Sequence, residues 1–440
     1  MNVIILMFQS LLTFVSVNFY GAIKLLNLNG WLSILPVLWY LIFLIKPVRK
    51  TNSYSSRLYV LKSSTQLLKV FIITSTASIF LLVYFIWFSD VSAKDIIINT
   101  IVAVIAEFIL FWDGTIRLYT TSVQMGLKWR VVGLVCGMIP VLNIFVLIKT
   151  IKIADEEYMF ECDKFELDNS RATSEICKTK YPLLLVHGVF FRDFKYLNYW
   201  GRIPNALKTN GAVIYYGSQQ SAASVASCAQ EICDKIKEIV DETGCGKVNI
   251  IAHSKGGLDA RYALSCLGAD KYVASLTTIN TPHRGCQFAD YLLDKASDSL
   301  RKSVSSKYNS ALKVLGDTNP DFISAVTDLT AKNCKELNSI CQDAPDVYYQ
   351  SVGSKVNKAV NGKFPLNLSY HLVKYFDGDN DGLVSVDSMK WGENFIFLAS
   401  NGKRGISHGD VIDLNRENIK GFDVREFYIN LVSDLKNKGF

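Results

Sequence analysis

Ser254 lies in Val248-Asn-Ile-Ile-Ala-His-Ser-Lys-Gly-Gly257, where strand character runs into a small residue, a serine and two glycines. The spacing is that of a nucleophile elbow, G-x-S-x-G, with Ala252 in the first glycine slot. A serine nucleophile needs a base, an orienting acid and an oxyanion hole. The chain has five histidines: His187, His253, His283, His371 and His408. In an elbow protein the chain order is serine, acid, histidine. His187 precedes the serine, His253 sits inside the elbow facing away, and His283 follows too closely to leave room for an acid. His371 and His408 remain. His408 stands in the polar, glycine-flanked Gly-Ile-Ser-His-Gly-Asp near the C-terminus, where a mobile imidazole can reach Ser254. His371, in Leu-Ser-Tyr-His-Leu-Val, reads as a structural strand or turn.

The acid should precede the histidine. Tyr375-Phe-Asp-Gly-Asp-Asn-Asp-Gly-Leu-Val384 offers Asp377, Asp379 and Asp381, and composition does not choose among them. Alternate aspartates with glycine also resemble part of a calcium loop, but Ser388 stands where an EF-hand needs glutamate. For the oxyanion hole, Leu184-Leu-Val-His-Gly-Val-Phe-Phe191 ends a strand in His-Gly. The backbone N–H groups of Val189 and Lys255 are the expected donors, and their side chains do no chemistry.

These residues must be held by regular elements. From Tyr181 onward apolar strands alternate with helical spacing: Pro182–Val186, helix 198–208, strand 212–216, helix 221–242, strand 248–252, helix 256–267, strand 273–280. That rhythm predicts a mostly parallel sheet with helices on both faces. Residues 153–180 are polar and read as a linker.

The first 152 residues are of another kind. Uncharged runs cover Val3–Ile23, Leu25–Ile45, Val70–Ser89 and Val131–Ile148, and Ile96–Trp112 carries only Glu107. Each approaches the roughly 20 apolar residues of a membrane span, so the sequence predicts a helical bundle of five spans, begun by an uncleaved anchor. This part holds a net charge of +9, and the remainder −2. The basic excess of the chain therefore belongs to the membrane part and marks no nucleic-acid surface. Lys46, Arg49, Lys50, Arg57, Lys62 and Lys69 fall between spans two and three, and Arg117, Lys128 and Arg130 between four and five. The positive-inside rule makes these loops cytoplasmic, and five crossings then put everything after Ile148 on the extracytoplasmic side. Lys149 and Lys152 run against that placement. Nine of the ten cysteines lie beyond Cys136, with Cys162–Cys177 and Cys334–Cys341 as candidate disulfides. Glu107, ionisable at membrane depth, suggests a transport or signalling role, or helix packing.

From Tyr181 to the C-terminus the chain resembles the bacterial triacylglycerol lipases of the α/β-hydrolase superfamily. The matching blocks are Tyr181-Pro…Val-His-Gly with Tyr199-Trp…Ile203-Pro…Ala206-Leu and Gly211-Ala-Val; the elbow with Arg261-Tyr; Thr281-Pro-His-Arg-Gly with Phe288-Ala-Asp; and Asn380-Asp-Gly-Leu-Val. The resemblance implies an α/β-hydrolase domain over 181–440. It implies Asp381 as the acid and His408, two residues before Asp410, as the base. It also implies a helical lid over about 289–331. The family's calcium site carries over in part: Asp410 matches one ligand, Leu414 replaces the glutamine ligand, and Asp377 or Asp379 is left to substitute for the other aspartate. The five-span region has no counterpart in the secreted members. The chemistry needs no cofactor, and the expected partners are a lipid ester and the bilayer. A phospholipase or lysophospholipase, and a silent membrane sensor keeping the hydrolase shape, are the rival readings. The oligomeric state is open.

Overall fold

A computed structural model describes residues 3–49, 55–137, 139, 141–189, 198–295, 297–314, 317–363, 366–400 and 402–440. Contacts divide the chain into two units, Met1–Leu167 and Asp168–Phe440. Lys50, Phe190, Phe191 and Leu315, and the side chains of Leu300 and Val314, lie outside the described residues.

The first unit is helical: α1 (Val3–Val17), α2 (Phe19–Leu26), α3 (Ile34–Ile45), α4 (Ser56–Phe88), α5 (Ala93–Thr121), α6 (Gly126–Cys136) and α7 (Leu142–Arg171). Among the described residues, α4 and α5 are long and apolar enough to cross a membrane, or three spans if α1 and α2, bent by 74°, count as one. The other expected spans are broken. Within Val3–Ile23 the helix bends at Asn18, whose side-chain amide donates to the Phe14 carbonyl at 3.1 Å and to Ser78 Oγ at 2.8 Å, an alternative to the helix ladder. In Leu25–Ile45 the chain turns through Asn27, at φ 52°, before the short helix α3. In Val131–Ile148 the run contains Gly133, Gly137 and Pro140, and helix stops at Cys136 and resumes at Leu142. Glu107 is buried and accepts a hydrogen bond from Ser75 Oγ on α4 at 3.0 Å, as a packing contact would have it.

The expected linker is helical as far as Arg171, because its acidic residues have partners. Glu157 accepts from Arg57 at 2.5 Å, Ser122 Oγ at 2.7 Å and the amides of Val123 and Gln124 at 3.1 Å. Asp155 pairs with Lys62, at 3.3 Å, and with Lys69. Arg57 also donates to the Thr121 carbonyl, at 2.9 Å. The chain that leaves the end of α5 through α6 thus comes back, at residues 155–157 of α7, to the end of α5 and the start of α4.

The second unit is built on six parallel strands in the order β2-β1-β3-β4-β5-β6: β1 (Leu183–Val186), β2 (Ile214–Tyr216), β3 (Val248–His253), β4 (Val273–Ile279), β5 (Tyr348–Ser354) and β6 (Asn394–Leu398). Alternation sends Leu183, Leu185 and Ile251 to one face and Leu184, Val186 and Ile250 to the other. The first face is covered by α8 (Ile203–Thr209) and by the C-terminal helix, through Ile203, Leu207, Tyr428 and Val432. The second is covered by α9 (Val225–Thr243) and α10 (Lys255–Leu267), through Ile232, Ile236, Ala260 and Leu264. After β4 come α11 (Gln287–Lys295), α12 (Asp298–Val314), α13 (Phe322–Thr327) and α14 (Ala331–Ile340), the helical stretch expected of a lid. Past β5 lie α15 (Leu366–Asp377), α16 (Val386–Met389) and, at the end, α17 (Val424–Asn437). His371 lies exposed on α15, so the strand or turn expected there is a helix.

Candidate active site

The turn between β3 and α10 has the sharp strand-to-helix geometry that the spacing predicts. Ser254 has φ 55° and ψ −131°, a conformation that non-glycine residues rarely adopt. It is held because small residues let three segments close around it. A Cβ on Gly256 would sit 2.3 Å from the His187 carbonyl oxygen, and one on Gly257 2.1 Å from Thr281 Oγ1. Ala252, the departure from the glycine pattern, is fully buried without obstructing the turn.

Ser254 Oγ lies 3.0 Å from His408 Nε2, and His408 Nδ1 lies 2.7 Å from Asp381 Oδ2. Of the three candidate acids only Asp381 reaches the imidazole. Asp379 is half exposed and pairs with Lys355 at 2.7 Å, and Asp377 accepts from the Gln287 amide at 3.3 Å. Asp381 is fully buried. Its Oδ1 accepts the amides of Leu383 and Val384, at 2.9 and 2.8 Å, and its Oδ2 also accepts from Asn280 Nδ2 at 2.6 Å. The His408 amide donates to the Asp381 carbonyl at 3.0 Å, tying the two loops together. Asn280, at φ 47° directly after β4, is a functional position that sequence reasoning missed. Its position next to Thr281-Pro-His-Arg-Gly was the available signal.

Tyr199 is a second missed residue. Its hydroxyl accepts the Gly188 amide at 3.0 Å and lies 2.6 Å from His253 Nδ1. Gly188 is the residue before Val189, and a Cβ on it would meet Ser254 Cβ at 2.8 Å, so the expected oxyanion strand-turn does lie against the nucleophile. The other expected donor, Lys255, opens α10, where helical amides have no intrahelical acceptor. The Lys255 side chain is turned away and buried, ion-paired with Asp259 at 2.6 Å. His253 does not point at the serine. Its ring packs on His408 with centroids 4.5 Å apart, and burial with the nearby His408 holds its pKa well below the usual histidine value. A neutral ring there supports the base without competing for its proton. Tyr199 thus bridges the oxyanion turn and the elbow. Tyr199→Phe removes both hydrogen bonds and keeps the ring, and should lower kcat about 10- to 100-fold with KM nearly unchanged, a smaller loss than removing an oxyanion donor itself. Steady-state kinetics on a soluble ester would refute the bridge if kcat stayed within twofold.

His187 and His283 are held in packing contacts away from the serine. His187 Nε2 lies 2.9 Å from the Gln219 carbonyl, and His283 stacks on Trp391 and lies 2.9 Å from Thr278 Oγ1. The calcium ligand set does not fit. Arg404 donates to both Asp410 oxygens, at 2.9 and 3.2 Å, and the Ser407 amide takes Oδ2 at 2.8 Å, so a guanidinium already satisfies the charge a cation would need. Among the described residues no cluster of three or more His, Cys, Asp or Glu is placed to hold a metal.

Residues 195–361 match a family described as putative serine esterase. A triacylglycerol lipase of Burkholderia plantarii is 33% identical over 180 residues, covering 38% of this chain and 49% of that protein. Triacylglycerol lipase 2 of Saccharomyces cerevisiae is 30% identical over 275 residues, covering 56% of this chain and 78% of that protein. The chain spans about half the length of the bacterial relative. Among solved structures, the mature form of a Bacillus licheniformis lipase, 21% identical, covers 58% of this chain and 92% of that chain with a TM-score of 0.43.

Proposed function

Because the chain belongs to the triacylglycerol lipase family of the α/β-hydrolase superfamily, we propose that it is a membrane-anchored serine lipase hydrolysing acyl esters of lipids such as triacylglycerols. The observation that carries this is the unbroken chain from Asp381 through His408 to the elbow serine. Ser254 Oγ attacks the ester carbonyl while His408 Nε2 takes its proton. The amides of Val189 and Lys255 receive the oxyanion. His408 then protonates the leaving alcohol, and Asp381 stabilises the imidazolium without taking its proton. Water, activated by the same imidazole, releases the fatty acid from the acyl-enzyme.

For the membrane part we read α4 and α5 as spans, and α6 and the start of α7 as segments that begin and end on one face of the membrane. The support is the set of contacts from Glu157 and Asp155 back to residues 122–124 and to Arg57, Lys62 and Lys69. Acids paired with the basic end of α4 share its side of the membrane, and the positive-inside rule makes that side cytoplasmic. The alternative, an extracytoplasmic catalytic domain, counts the same run as a fifth crossing.

One experiment addresses chemistry and side together. Carbonate-washed membranes from expressing cells should hydrolyse emulsified triacylglycerol and prefer long-chain over short-chain p-nitrophenyl esters, unchanged by chelator. Intact cells should not cleave the emulsion until lysed. Activity in the soluble fraction would sink the anchor, lack of a long-chain preference the lipase assignment, and full activity of intact cells the cytoplasmic side.

A further inference from the structure

Two cysteines outside the catalytic machinery face each other. Cys266 Sγ, exposed near the end of the elbow helix α10, lies 3.6 Å from Cys341 Sγ, buried just after α14. The sequence pairing of Cys334 with Cys341 is not what the fold brings together. Cys334 Sγ instead donates to the carbonyls of Asp328 and Pro282, at 3.3 and 3.5 Å.

The backbone around the pair is already fixed. Ser265 Oγ donates to the Gln342 carbonyl at 2.6 Å, and Arg261 donates to the Cys341 carbonyl at 3.3 Å and to Asn338 Oδ1 at 2.9 Å. A disulfide needs sulfurs about 2.0 Å apart on side chains that face each other. The sulfurs lie 3.6 Å apart, on two segments that these hydrogen bonds already hold side by side. Burial and the adjoining Cys266 sulfur push the Cys341 thiol up to about 12, so the sulfur that meets an oxidant first is the exposed Cys266.

We propose that Cys266 and Cys341 form a redox-modification site that closes to an intramolecular disulfide on reaction with a low-molecular-weight disulfide such as oxidised glutathione. The Cys266 thiolate attacks one glutathione sulfur, forming a mixed disulfide and releasing the first reduced glutathione. Cys341, losing its proton to water, attacks the Cys266 sulfur, and the second glutathione leaves as a thiolate that is then protonated. Two protein thiols give up two electrons, and one oxidised glutathione becomes two reduced ones. On the cytoplasmic face the resting pair is reduced, so the bridge forms under oxidising conditions. It closes a loop of 75 positions that contains the whole helical insertion α11–α14 and joins the base of that insertion to the helix behind the nucleophile. A loop of that length restricts the unfolded chain strongly.

The test uses the full chain purified in detergent, treated with oxidised glutathione, blocked with N-ethylmaleimide and digested with trypsin. Cleavage at Arg261, Lys271, Lys335 and Lys355 leaves Cys266 on peptide 262–271 and Cys341 on peptide 336–355, apart from Cys334. The expected result is a linked pair of these peptides, released by reductant, and an unfolding midpoint of the oxidised protein raised by about 5 °C or more. Cys266→Ser, an exposed substitution, should abolish both the linked peptide and the shift. In Cys341→Ser, Cys266 should stop at the glutathione adduct. Wild-type protein that carries glutathione on Cys266 with no linked peptide, or that joins Cys341 to another cysteine, or that leaves both thiols unreacted, would overturn the proposal. None of these readouts uses lipase activity.

Discussion

Ser254→Ala should lower ester hydrolysis by about 10,000- to 1,000,000-fold while the protein stays folded. The only atom removed is Oγ, whose hydrogen-bond partner is His408 Nε2 at 3.0 Å. The oxyanion amides of residues 189 and 255 are backbone groups and remain, so hydrolysis should stay above the rate in water. The backbone at position 254, with φ 55°, is imposed by its neighbours, because the His187 carbonyl and Thr281 close on Gly256 and Gly257. Alanine is therefore accommodated as well as serine was. The check is kcat/KM on p-nitrophenyl butyrate beside a thermal melt of both proteins. Equal activity would remove Ser254 as nucleophile. A folded wild-type protein with no activity on any ester would favour the silent sensor instead.

The elbow was legible because its chemistry is local: strand, small residue, serine and glycine within ten positions. Chain order left His371 and His408, and the polar, glycine-flanked loop around His408 decided between them. The acid was not legible from the residues themselves, because Asp377, Asp379 and Asp381 share one short loop. What separates them is the pair of amides at Leu383 and Val384 together with Asn280, 101 positions earlier, and no local pattern carries that contact. Tyr199 was hidden for the same reason, since its partners are an amide 11 positions before it and an imidazole 54 positions after it. In the first unit the apolar runs were legible in the sequence, and helical continuity was not. Hydropathy does not register Asn18 bonding back to Phe14, or the break between Cys136 and Leu142. The acidic stretch after Ile153 looked like a solvated linker because Glu157 and Asp155 find their cations 86 to 100 positions away.

Asp381→Asn should lower kcat by about 10,000-fold, the scale seen when the acid of a serine triad becomes an amide. Four donors converge on this carboxylate: two amides on Oδ1, and Asn280 Nδ2 and His408 Nδ1 on Oδ2. An asparagine has a single acceptor oxygen. If that oxygen stays with Leu383 and Val384, the new NH2 faces two donors. His408 then relieves the conflict by moving its proton to Nε2. That nitrogen is the one that must accept the Ser254 proton, so the base is lost although every ring stays in place. If the amide flips, the two backbone N–H groups are left facing a donor inside a fully buried site. Either arrangement costs about 1–3 kcal/mol of stability, so the loss in kcat should come with a lower melting point and little change in KM. Asp379→Asn, on an exposed carboxylate paired with Lys355, should leave kcat within about twofold, since an exposed ion pair contributes little. The two variants together separate position from composition. A large loss in Asp379→Asn and none in Asp381→Asn would move the acid to the neighbouring aspartate and require the loop to rearrange around His408.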